Sequence, residues 1–262
     1  MGNLLFRTLM ATLALGTAVT AAPALAQSGA LPPRPIAAAD PARRALALQL
    51  AKTLAPEDAT IMAIERVIAV DIPKAMLADA NMKALEQEYP GVIKAVAEGM
   101  APVLLRYSRD SLPGAWDSIA DVLAESLTQD DLRAALAFYG GPTGAKIIAR
   151  MHQSVDFAPV LGEMLKTEDF GLTESQLART VRRSESDVID RLTPQELAEA
   201  EAFVRSPTGA KIVALTPRVQ AISVAEANKP NPKVDAELEA ATIAAMEKFT
   251  GLNLREGHEK SK

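Results

Sequence analysis

The stretch LTQDDLRAALAFYGGPTGAKIIA at residues 127–149 returns as LTPQELAEAEAFVRSPTGAKIVA at residues 192–214. Thirteen of the 23 positions are identical at an offset of 65, and P-T-G-A-K-I is unbroken in both. Two copies of one supersecondary unit are therefore expected. Each opens on an N-cap threonine, Thr128 or Thr193, with Asp131 or Glu196 three residues later, and the Thr193/Glu196 pair is a capping box. Helical period then carries the pattern through Leu132/Leu197 to Phe138/Phe203. Gly140-Gly141-Pro142 and Arg205-Ser206-Pro207 end that first helix, because the residue before a proline is driven out of the α region. Thr143 and Thr208 are expected to cap a second helix, with Gly144 or Gly209 at its first position and Ile147 or Ile212 facing inward. Each copy thus predicts a helical hairpin.

Working outward, the remaining chain reads the same way. Asp40-Pro41 opens a helix to about Leu54, and Pro56 starts another. Pro73 and Pro90 punctuate two more, and Pro113-Gly114 predicts a turn before a helix over Trp116–Leu127. Leu172-Thr173-Glu174-Ser175-Gln176 is a further capping box, opening a helix to about Arg182, and a last helix covers about Val234–Phe249. No segment alternates apolar and polar residues between hairpin turns. The chain holds 49 alanines and only 4% aromatic residues, which favours helices over a β-sandwich. The expected fold is all-α, a multi-helix bundle with an N-terminal helical region at 40–126 and a second at 127–250 that carries the two hairpins.

The first residues bear on destination. Arg7 precedes an apolar run of about 15 residues, and Ala24-Leu25-Ala26 places small side chains before a cut at Gln27. Residues 1–26 are therefore expected to be a cleaved signal peptide, too short in its apolar part for a spanning helix, and the mature protein is expected in the periplasm. Residues 27–39 (QSGALPPRPIAAA) read as a flexible leader, and 251–262 as a charged tail. No later stretch is apolar enough to predict a transmembrane segment.

Composition excludes several function classes. Without cysteine there is no disulfide framework, thiolate nucleophile or Cys-ligated metal. A formal charge of −5 speaks against broad nucleic-acid binding, which needs a concentrated basic face. His152 and His258 are the two histidines, and His152-x3-Asp156 supplies two ligands at helical spacing without a third. We expect no metal, no cofactor and no catalytic residues, since no nucleophile elbow, zinc helix, phosphate loop or dinucleotide turn is present. The remaining candidate is an anion site made by Thr143, Gly144, Lys146, Thr208, Gly209 and Lys211. Free N–H groups and the positive helix end would meet an anion there beside a lysine. Within one hairpin Asp131 is too far down its helix to meet Lys146, whereas a pair between copies, such as Lys146 with Glu196, is open.

The leader and the two copies of L-T-x-x-(D/E)-L…A-F…P-T-G-A-K-I resemble a family of bacterial envelope proteins, the domain of unknown function 2059. Its motif runs through an aromatic pair and then S-P-x-G. Phe138-Tyr139 matches the first part, and Ser206-Pro207-Thr208-Gly209 the second. The resemblance implies a helical exported protein and assigns no catalytic residues. The reading that follows is a non-enzymatic exported protein that binds a protein partner or self-associates. The alternatives are a carrier of a lipid or other apolar small molecule in an inter-helical cleft, and an exported enzyme with a carboxylate pair.

Overall fold

The computed structural model describes residues 40–167 and 171–253, and among these all regular structure is helical. The expected signal peptide (1–26), the leader (27–39) and residues 254–262 of the tail lie outside the described residues. The helices are α1 (Pro41–Leu54), α2 (Glu57–Arg66), α3 (Ile72–Leu77), α4 (Ala80–Glu88) and α5 (Val92–Ser126). They continue with α6 (Gln129–Tyr139), α7 (Pro142–Ser154), α8 (Ala158–Thr167) and α9 (Glu174–Ile189). Then follow α10 (Pro194–Arg205), α11 (Pro207–Ala227) and α12 (Pro232–Thr250).

The axis of the molecule is α5, 35 residues long, against which α1, α2, α11 and α12 pack. The turn expected at Pro113-Gly114 is not there: both Pro102 and Pro113 lie inside this helix. Each proline is on the exposed side, and so are Glu98 and Arg109, whose carbonyls lose their intrahelical partner to water. Leu104, Leu112, Ile119 and Leu123 are buried before and after Pro113, so tertiary packing holds the helix through it. Pro73 likewise does not break the chain. A π-helical turn, Val67–Asp71, joins α2 to α3, and the Ile72 N–H reaches back to the Val67 carbonyl.

Two apolar clusters flank α5. One gathers Ile64, Ile72, Ile93, Met100, Leu104 and Phe157; the other Leu50, Leu54, Leu123, Leu132, Ile148 and Leu215. Helix α9 runs to Ile189, past the expected end near Arg182. Its buried face continues through Thr180 and Ser184, whose hydroxyls donate to the carbonyls of Gln176 (3.1 Å) and Thr180 (3.2 Å). A purely apolar pattern does not register such a face. No helix among the described residues is long and apolar enough to cross a membrane.

Candidate functional site

The segments 127–149 and 192–214 each form two helices joined at a short turn: α6 with α7, and α10 with α11. Both capping boxes close. The Thr128 hydroxyl accepts from the Asp131 N–H (3.2 Å), and the Asp131 carboxylate accepts from the Thr128 N–H (3.0 Å). Thr193 and Glu196 do the same at 3.3 and 2.8 Å.

The caps of the second helices differ from expectation. Gly141 and Ser206, not Thr143 and Thr208, are the N-caps, with Pro142 and Pro207 at the first helical turn. Proline's fixed φ and missing N–H suit the first position of the helix, which moves the cap two residues upstream. Only Ser206 caps with its side chain, accepting from the Gly209 N–H at 3.1 Å. Gly144 and Gly209 are required for a different reason. A Cβ at Gly144 would overlap the Phe138 carbonyl and lie 2.6 Å from the Tyr139 Cα, and one at Gly209 would overlap the Phe203 carbonyl and lie 2.9 Å from the Val204 Cα. In both places the missing side chain lets the second helix start against the end of the first.

With the cap supplied elsewhere, both threonine hydroxyls face the opposite hairpin. Thr143 donates to Glu199, and Thr208 donates to Asp131 at 2.9 Å. The Lys146 ammonium bonds both oxygens of Glu196 at 2.6 Å, and Lys211 bonds Asp131 at 2.7 Å. At the centre the Phe138 and Phe203 rings stack with centroids 4.0 Å apart and planes 4° from parallel, and Tyr139 meets both edge-on. Helix α7 packs on α10, and α11 on α6.

The electrostatics follow from this exchange. Burial alone would raise the Asp131 carboxyl, but Lys211, Thr128 and Thr208 overcome it and hold its pKa at about 2. Lys146 and the Thr193 N–H bring Glu196 to about 2, and the Thr143 hydroxyl lowers Glu199. The anions that meet the candidate residues Thr143, Lys146, Thr208 and Lys211 are thus carboxylates of the same chain. Asp131, Glu196 and Glu199 complete the cluster. The sequence pointed to Asp131 only at the start of its helix, and to Glu196 both as a cap and as an open partner for Lys146 across the copies, the pair that forms; Glu199 had no signal.

His152 is only 3% exposed. Its Nε2 lies 3.4 Å from the Leu54 carbonyl, and burial pushes its pKa down. Asp156 is drawn away to Lys74 (3.1 Å) and the Ala158 N–H (3.0 Å). Among the described residues no three His, Asp or Glu side chains group as a metal site.

An open groove of about 690 Å³ runs between α1 and α7. Ala45, Leu48 and Lys52 form one wall, Ala145 and Ala149 the other, with the buried Tyr139 and Ile148 as floor and Pro56 beyond the end of α1. Sequence pattern does not reveal it, because alanines scattered over two helices carry no period of their own.

No curated protein and no solved structure matches the chain. A family model does match, over the end of α5, the first hairpin and the start of α8, and it does not extend to the second hairpin. Residues 116–160 match the model of the family described as uncharacterized protein conserved in bacteria, the domain of unknown function 2059, the family that the repeated motif resembled.

Proposed function

We propose that this is an exported, non-enzymatic helical protein that works by association, with a protein partner or with a second copy of itself. Its two hairpins are, in this reading, copies of one unit mated around a local two-fold. The observation that carries the proposal is the reciprocal pairing of Lys146 with Glu196 and of Lys211 with Asp131. These positions correspond at the offset of 65, as do the stacked Phe138 and Phe203. Residue-for-residue exchange of this kind is how self-complementary protein surfaces recognise one another. The motif residues that a ligand or a reaction would need are therefore engaged in recognition between helices. Exposed Met62, Val70 and Leu77, spaced eight and seven residues apart along Glu57–Leu77, offer apolar surface for a further contact.

The supports for export are Arg7, the apolar run and Ala24-Leu25-Ala26, together with the envelope family that the chain resembles. A second reading, a carrier of an apolar small molecule, draws on the α1–α7 groove, whose volume falls in the roughly 300–1,000 Å³ range of ligand sites. Native mass spectrometry of protein purified from the periplasm separates the two. The association reading expects a chain beginning at Gln27 in a dimer or a defined complex. A monomer that retains one lipid per chain would replace it with the carrier reading.

A further inference from the structure

The open groove between α1 and α7 carries two hydrogen-bond donors that the fold leaves without acceptors. The first is Lys52, the one charged residue that lines it. Its ammonium meets no carboxylate among the described residues and lies 5.1 Å from the centre of the Trp116 ring. The second is Tyr139 in the floor, only 3% exposed. Its ring is fixed edge-on against Phe138 and Phe203, yet its hydroxyl has no hydrogen-bond partner among the described residues. Burial pushes the phenol's pKa up, so it stays an O–H donor. A buried donor without an acceptor is costly, and its place in the floor of an otherwise apolar groove points to an acceptor brought by an occupant.

We propose that the groove holds a single-chain anionic amphiphile of the fatty-acid class, its chain along the alanine walls and its carboxylate taken by Lys52 and Tyr139. From Ala45 to Pro56 the wall is about 17 Å long at 1.5 Å per residue, an elongated space that suits an aliphatic chain. Ala45, Ala145 and Ala149 keep the walls low, and Leu48 and Ile148 add apolar surface, so each methylene laid there leaves water. A sugar or a nucleotide would need many more polar partners. Beside the two donors only Gln49 and Thr53 line the groove with polar side chains, and the Thr53 hydroxyl already donates to the Gln49 carbonyl at 2.9 Å. A carboxylate fits both donors, because it is acceptor-only and opposite in charge to lysine. Lysine's flexible stem lets the ammonium leave the ring for the head group. Binding should therefore register at Trp116, the one tryptophan of the chain.

The inference rests on the carrier reading, and its test separates the two. Neither the exposed Met62, Val70 and Leu77 nor the ion pairs between the hairpins line the groove, so a ligand there leaves association open. Purified, delipidated protein is titrated by calorimetry with laurate and with dodecanol, which share a chain length and differ in the head. Laurate should bind once per chain, change Trp116 fluorescence, and exceed dodecanol by about tenfold or more in affinity. Lys52→Met should remove that difference while leaving dodecanol binding unchanged, and Tyr139→Phe, which keeps the ring, should weaken laurate. Ala149→Phe, at an exposed position of the wall, should block both ligands. Equal binding of laurate and dodecanol, or laurate binding indifferent to Lys52→Met and Tyr139→Phe, would overturn the anionic head and leave the carrier reading standing. Binding of neither ligand, or binding that Ala149→Phe does not disturb, would overturn both.

Discussion

At the residue scale the two hairpin glycines are the most demanding positions. Gly144→Ala or Gly209→Ala forces a methyl into the backbone of the preceding helix, at a cost of about 1–3 kcal/mol or more in urea unfolding. Gly114→Ala makes the opposite case, because its Cβ would meet nothing within 4 Å inside a continuous helix, and it should gain about 0.5–1 kcal/mol. His152 belongs to packing. Its folded pKa is lowered by burial, so the unfolded chain takes up the proton more readily. The stability it supports is therefore present above the unfolded value near 6.5 and drains away as pH falls below it. Denaturation midpoints of the unmodified protein should fall between pH 7 and pH 5, and His152→Leu should flatten that interval. An unchanged slope in the variant would place the acid sensitivity elsewhere.

At the element scale the exchanged carboxylates act in a lower window. Asp131 and Glu196, both at about 2, contribute stability above their unfolded values near 4, which is lost as pH drops from there towards 2. Asp131→Asn should weaken that lower phase and leave the histidine phase intact, and it should cost about 1–3 kcal/mol at pH 7 through lost charge-assisted bonds. The elements also mark how far the sequence could be read. Capping boxes at Thr173 and Thr193 are local, made of residues three apart, and the structure places both as expected; the N-cap expected at Thr128 closes a third box with Asp131. Pro113 misleads because a proline's local cost says nothing of Leu112 and Ile119, whose burial comes from distant helices. Thr143 and Thr208 look like caps because a threonine before glycine fits one; the proline one residue earlier decides otherwise. The partners of those threonines lie 56 and 77 residues away, a separation that only the assembled fold resolves.

At the scale of the whole molecule, α5 is the common support, packed by α1 and α2 from before it and by α11 and α12 from the far end of the sequence. Helix α1, the groove wall, packs on both α5 and α6, and α6 on α7, so groove and hairpin pair belong to one packed unit. The export reading makes its own prediction: N-terminal sequencing of protein from the periplasmic fraction should begin at Gln27, and Met1 on cytoplasmic protein would remove it. The central claim is that each hairpin is held by the other through the same positions. Double-mutant cycles at those positions test it most directly. Lys146 with Glu196 and Lys211 with Asp131 should show coupling energies clearly above zero, while Lys146 with Asp131 and Lys211 with Glu196 should be additive. Coupling confined to the second set, within each hairpin, would contradict the account.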